Sequence, residues 1–127
     1  MRDFLIIGLG GWLGAYSRHR VGLAIADRWG TAFPWGTAVI NVTGCLLLGF
    51  FGTWALAREQ ALPMEWRLLI AVGFLGAYTT FSTFGFETLL LLRNGHSQAA
   101  ALYVAGSVGV GLVAVWAGAL CAKTFIG

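Results

Sequence analysis

With 127 residues, 58% hydrophobic and only 10% charged, and a mean hydropathy of +0.79, the chain lacks the roughly one-quarter charged residues typical of a small water-soluble domain. Its net charge of +3, from eight Lys and Arg against five Asp and Glu, excludes the basic stripe of a nucleic-acid binder and a polybasic lipid anchor. Composition therefore predicts an all-α integral membrane protein whose surroundings are membrane lipid.

Four apolar runs approach or exceed the ~20 residues that cross a hydrocarbon core of ~30 Å. They cover roughly residues 4–26, 34–57, 66–92 and 98–122, and are expected to form four transmembrane helices within a single domain, 1–127. The hinges DRWGTAF, REQALPME and RNGHS carry the charges and turn residues of membrane exits. In the first run, residues 4–17 also read as a signal-peptide core, with Ala15 and Ser17 before a cut; a single leading Arg2 and four glycines favour a packed helix instead. Gly10 and Gly14 form a GxxxG pair, and Gly11 and Ala15 repeat it one step on. Arg18 lies where this run thins, and its guanidinium either faces a vestibule or snorkels to the interface.

The second run places Asn41 near its centre, in GTAVINVTGCLLLGF. An amide there either donates to a polar path or joins helices, without the desolvation of a buried charge. Cys45 and Cys121 lie in apolar runs and read as small filler, with no disulfide and no metal site.

The third run contains GFLGAYTTFSTFGFET, residues 73–88, in which hydroxyls, aromatics and glycines replace aliphatic filler. On a helical projection Thr80, Thr83, Phe84, Glu87, Thr88 and Phe81 fall within an arc of about 160°. Residues 76–80 are weak helix formers, so a break is expected there, freeing carbonyls at membrane depth. A ring presents a positive edge, so Phe81 and Phe84 beside donors such as Asn41, Thr80, Ser82 and Thr83 would suit a small anion stripped of water. Plain packing is the alternative use of two such rings. In the fourth run, Ala105/Gly109 and Ala114/Gly118 add small-residue faces, as Gly73/Ala77 does in the third. His19 and His96 read as interfacial.

If the N-terminus, the second hinge and the C-terminus share one side, that side holds Arg2, Arg58, Arg67 and Lys123, and the other holds Arg18, Arg20, Arg28 and Arg93. Lys/Arg asymmetry between short loops sets orientation, so four against four chooses none. A chain that inserts both ways can pair with an inverted copy of itself. Unequal weighting of the individual charges is the other possibility.

GGWLGAYSRH at 10–19, GTAVINVTGCLLLGF at 36–50 and GFLGAYTTFSTFGFET at 73–88 resemble the signatures of the Fluc (CrcB) fluoride channels. The resemblance runs over essentially the whole chain. It implies a dual-topology antiparallel homodimer with two fluoride pores in a bacterial inner membrane. It makes Phe81 and Phe84 the paired pore phenylalanines, Asn41 the pore-lining amide and Arg18 the vestibule's basic residue. Gly76 and Thr79 would offer backbone carbonyls to a structural sodium ion at the dimer axis. Tyr103 and Ser107 look like members of a polar track beside the pore, with Thr37 and Glu87; Gly111 stands where some relatives have a hydroxyl.

Two other functions fit the gross features. A small dual-topology multidrug or cation exporter would share the length, but wants a membrane-embedded carboxylate early in the chain, and the first run has none after Asp3; Glu87 is the sole interior acid. A non-transporting membrane scaffold would explain the glycine faces but not the clustered hydroxyls and phenylalanines. No paired carboxylates, nucleophile elbow or His/Cys cluster points to an enzyme. The expected activity is passive conduction of fluoride out of the cell down its own gradient. Adding two positive charges at the C-terminus should orient most copies one way and abolish fluoride export, and a partner biased oppositely through the RNGHS hinge should restore it. Full export by the singly biased chain, with uniform orientation verified by cysteine labelling of both ends, would rule out the antiparallel pair.

Overall fold

The computed structural model describes residues 1–126, and every regular element among them is helical. Helix α1, Arg2–Trp29, ends at Gly30, whose φ of 76° lies in the left-handed region open to glycine. Pro34, which has no N–H to leave unpaired, stands just ahead of α2, Trp35–Ala57. The third apolar run is composite: α3, Met64–Arg67, continues into a π-helical segment, Leu68–Leu75, and a short α4, Gly76–Tyr78. After two extended residues, α5 covers Phe81–Arg93. A turn with Gly95 at φ 79° leads into α6, Ser97–Lys123.

The interruption differs from the one expected over residues 76–80. Gly76 to Tyr78 remain helical, and only Thr79 (φ −81°, ψ 158°) and Thr80 (φ −151°, ψ 114°) are extended. The physical reason is the β-branched side chain, which favours extended backbone, whereas a lone glycine is tolerated in a helix whose neighbours hold it. The departure upstream of the break, eight residues of π-helix, had no signal in the apolar sequence LLIAVGFL.

Glycine backbones set the helix spacing. A Cβ at Gly10 would collide with the backbone of Leu69 and Phe74, and one at Gly14 with the Phe74 carbonyl, so α1 lies directly on the π-helical segment. A Cβ at Gly49 would strike the Val115 carbonyl and one at Gly118 the Leu46 carbonyl, which joins α2 to α6 in the same way. The GxxxG pair of α1 and the Ala114/Gly118 face are thus spent inside the protomer. By contrast, Gly11 and Gly109 have no neighbouring atoms within van der Waals contact. At the end holding both termini, Arg2 pairs with Glu65, Arg67 donates to the Ala55 carbonyl (3.0 Å), and Arg58 lies over the Trp54 ring.

The outward surface is largely apolar along α2, α6 and the first half of α1; Trp12, Leu47, Leu112 and Trp116 are among the exposed side chains. Among the described residues, three helical segments are long and apolar enough to cross a membrane: Trp35–Ala57, Met64–Arg93 and Ser97–Lys123. Helix α1 has 28 residues but carries Arg18, His19, Arg20, Asp27 and Arg28 in its second half, which keeps it out of that group. The span expected over residues 4–26 is therefore not among those the apolarity of the helices establishes.

Two glycines one turn apart on α2 separate packing from propensity. Gly49→Ala should lower stability by about 1–3 kcal/mol through backbone overlap, whereas Gly52→Ala, with open space around it, should raise it by up to about 1 kcal/mol. Thermal melts in detergent read both; equal shifts would remove close helix contact as the reason for Gly49.

Candidate functional site

Breaking a helix at Thr79–Thr80 frees backbone groups that an apolar medium cannot hydrate. Asn41 of α2 meets most of that need. Its Nδ2 donates to the Thr80 carbonyl (3.0 Å), and its Oδ1 accepts from the Thr80 N–H (2.8 Å). That N–H therefore does not return to the carbonyl of Gly76 four residues back. From α1, Arg18 Nη1 donates to the Thr79 carbonyl (3.3 Å). Thr80 then caps α5: its Oγ1 accepts from the Thr83 N–H (3.3 Å) and donates to Thr83 Oγ1 (3.0 Å). Gly44 makes room for this geometry, since a Cβ there would collide with the Thr79 methyl group. The hydroxyls of Thr43 and Tyr78 bond each other (2.9 Å) and pin the end of α4 to α2.

Two cavities flank the break. The outer one, about 650 Å³, lies toward the α1–α2 and α5–α6 turns and is lined by Arg18, His19, Thr37, Thr83, Glu87 and His96, with others. The inner one, about 290 Å³, opens on the protomer face where Phe81 stands exposed and is lined by Asn41, Cys45, Thr79, Phe81, Phe84 and Ser107, with others. Thr80 is the one residue common to both linings.

Glu87 joins three elements. Thr37 Oγ1 donates to Glu87 Oε1 (2.9 Å) and the Tyr103 hydroxyl donates to Oε2 (2.7 Å). Tyr103, 1% exposed, is the most fully enclosed large side chain among the described residues; Phe84 and Phe33 pack on its ring, with centroids at 5.0 and 5.5 Å. Ser107, one turn along α6, has a buried Oγ without a hydrogen-bond partner.

The candidate residues do not form one wall. Thr37, Glu87 and Tyr103 meet; Asn41 meets Thr80, and Arg18 meets Thr79. The two phenylalanines are adjacent, with centroids 5.7 Å apart, but Phe84 is half-buried against Tyr103 while Phe81 is 83% exposed on the outside of the protomer. Ser82 and Thr83 are also exposed, and the Thr88 hydroxyl turns back to the Phe84 carbonyl (2.8 Å). Gly76 is exposed.

The carbonyls expected to hold sodium fit a cation only in part. The Gly76 oxygen has lost its helical donor, but the Thr79 oxygen already accepts from a guanidinium, so a cation there would share it with a like charge. Among the described residues no group of three or more His, Cys, Asp or Glu is placed to hold a metal.

Several residues at the cavities went unread as site residues. Cys45 lines the inner cavity and His19 and His96 the outer one. Helical spacing held the signal for the first: Thr37, Asn41 and Cys45 recur every four residues and share one face of α2. For the histidines only the fold brings the second half of α1 and the α5–α6 turn to one cavity.

A bundle of apolar helices whose interior holds separate sets of hydroxyl, amide and carboxyl groups fits a multi-pass membrane protein. A family profile described as "CrcB-like protein, Camphor Resistance (CrcB)" matches residues 5–119, and the chain belongs to that CrcB family. It is 50% identical over 115 residues to a protein of Acidobacterium capsulatum, covering 91% of both chains. To one from Trichormus variabilis it is 46% identical, over 97% of this chain and 90% of the relative. A Solibacter usitatus protein is 47% identical, over 94% of this chain and 98% of the relative. All three relatives carry the name "Fluoride-specific ion channel FluC".

The Tyr103 to Glu87 contact makes a direct prediction. Tyr103→Phe keeps the ring and removes the donor, so it should lower stability by about 1–3 kcal/mol, whereas Tyr16→Phe, whose exposed hydroxyl meets only Arg20, should change it by less than about 0.5 kcal/mol. Thermal melts of the two variants compare them; a silent Tyr103→Phe would mean that Glu87 does not depend on that hydroxyl.

Proposed function

We propose that this protein is a fluoride channel of the bacterial inner membrane that lets the anion leave the cell down its electrochemical gradient. The observation that carries this reading is 50% identity, across nine-tenths of both chains, to a relative named a fluoride-specific ion channel. The polar file on either side of Thr80 supports it: outer and inner cavities offer donors without a ring of carboxylates. Fluoride holds its water tightly, so selectivity over chloride needs closely placed hydroxyl and amide donors in a bore too narrow for the larger ion. Asn41, Thr80, Ser82, Thr83 and Ser107 would supply those donors, and Thr37, Glu87 and Tyr103 would form the track beside them.

The working unit in this reading is an antiparallel homodimer with two pores. Its support is the even division of Lys and Arg between the two sides and the outward Phe81 ring, which a second copy would cover and bring to the path beside Phe84. Helix α1 would be the fourth span, because Gly10 and Gly14 lay it on the π-helical segment at membrane depth. A structural sodium ion would sit at the dimer axis on the Gly76 and Thr79 carbonyls and hold the two breaks together. The cation-exporter reading is weaker: Glu87, the one interior acid, is engaged by Thr37 and Tyr103.

Efflux from proteoliposomes loaded with fluoride or chloride tests the reading. Fluoride should leave rapidly and chloride should stay. Phe81→Ile and Phe84→Ile keep apolar bulk but lack the positive ring edge, so each should sharply reduce fluoride efflux in dimers that still assemble. Absence of fluoride efflux from the wild-type protein would overturn the function; unchanged efflux in both variants would leave the rings as packing alone.

A further inference from the structure

Two histidines from distant parts of the chain stand on the lining of the outer cavity. His19 lies on α1 directly after Arg18. His96 is the residue ahead of α6, where its N–H donates to the Leu91 carbonyl (2.9 Å) and its carbonyl accepts from the Ala100 N–H (3.0 Å). We propose that His19 and His96 make the outer cavity a proton-dependent collector of fluoride, so that conductance rises as the adjoining solution becomes acidic. This rests on the fluoride reading above.

Among the described residues, the ionisable side chains on this lining are Arg18, Glu87 and the two histidines. Arginine keeps its charge throughout the physiological range, and the Glu87 carboxylate is engaged by Thr37 and Tyr103. Histidine is the side chain whose charge ordinarily changes between about pH 5 and 8. Protonation of both imidazoles therefore adds two positive charges to a lining that otherwise carries one guanidinium and one carboxylate. Both histidines are exposed, so protons reach them from solution without any opening of the fold. Around the same mouth, Arg20 follows His19, Asp27 and Arg28 follow Ala26, and Arg93 precedes Asn94. The arginines hold their charge, which leaves Asp27 and Glu87 as the other groups there that acid could alter.

Charge lining a confined cavity raises the local concentration of the opposite ion, and the effect fades as salt screens it. The chemistry of fluoride entry gives such a device a use. HF crosses a membrane as a neutral molecule, and each molecule that dissociates inside the cell releases one proton and one fluoride ion. The proton is then available to an imidazole and the fluoride to the cavity beside it. In the antiparallel pair proposed above, one copy turns its outer cavity to each side of the membrane, so one pair of histidines meets the cytoplasm, where both products appear. A fluoride load thereby raises the conductance that relieves it.

Electrical recording isolates the anion, because HF carries no current. Fluoride conductance is measured in planar bilayers of zwitterionic lipid, at fixed sodium, at about pH 7.5 and about pH 5.5 and at ionic strengths of about 20 mM and about 300 mM. Wild-type conductance should rise about threefold on acidification at the lower ionic strength, the scale set by two unit charges several ångströms from an ion in water. At the higher ionic strength the rise should stay below about 1.5-fold. The double variant His19→Gln/His96→Gln should lose the response to pH. The double variant His19→Lys/His96→Lys, with charges that do not titrate in this range, should show the higher conductance at both pH values.

Wild-type conductance that ignores pH at low ionic strength would overturn the inference and leave the fluoride reading in place. So would a response of equal size at both ionic strengths, which a screened charge cannot produce. A response that survives in the glutamine double variant would assign the effect to Asp27 or Glu87 and likewise overturn it. If that variant does not assemble, the lysine double variant and the two single His→Gln variants decide: a full wild-type response in all of them removes the histidines from the account. A wild-type channel that passes no fluoride would instead bring down the reading beneath the inference, and the inference with it.

Discussion

A polypeptide can leave the helical conformation at membrane depth only where its freed N–H and C=O groups find other partners, and here a single amide side chain meets most of that demand. Asn41 bonds both polar groups of Thr80, at 2.8 and 3.0 Å, as a neighbouring strand would. Everything distinctive about the interior follows from this clamp. It lets α4 stop at Tyr78 and α5 restart at Phe81, turns Thr80 into a cap, and leaves hydroxyls between two cavities where an unbroken helix would have presented only its sheathed backbone.

The clamp works only because the helices lie close enough for short side chains to reach. Gly44 admits the Thr79 methyl group, and Gly10 and Gly14 bring α1 onto the π-helical segment, so that Arg18, one turn beyond Gly14, arrives at the break. A π-helical segment winds more widely than an α-helix, and such segments are rare and often stand at functional sites. Here it is the part of the third run that contacts the glycine face of α1, immediately ahead of the interruption. Close backbone approach and a broken helix are thus two aspects of one arrangement: the first supplies the partners that the second requires.

Polar groups in the interior are satisfied in small, separate sets rather than in one continuous network. The carboxylate of Glu87 is held by Thr37 and Tyr103, the break by Asn41 and Arg18, and the end of α4 by Thr43. Ser107 is the exception, with a buried hydroxyl that has no protein partner, on a residue that lines the inner cavity.

Much of this was legible in the sequence, since hydropathy and side-chain type act locally. Apolar runs require helices in lipid because no other open structure pairs its own backbone. Glycine at Gly30 and Gly95, with Pro34, marks the turns, and two β-branched threonines mark where the third run departs from a helix. The four-residue stripe Thr37, Asn41, Cys45 on α2 is equally open to reading, although a lone cysteine in an apolar run by itself reads as filler. What only the tertiary structure decided concerns partners distant in the chain. Whether Arg18 faces a vestibule or snorkels, which carbonyl it finds 61 residues away, that Glu87 belongs to Thr37 and Tyr103, and that Phe81 points outward while Phe84 points in all depend on how helices are rotated and spaced. Helical periodicity assigns residues to a face; it does not say which neighbour that face will meet, because rotation and spacing are set by the summed packing of every helix in the bundle.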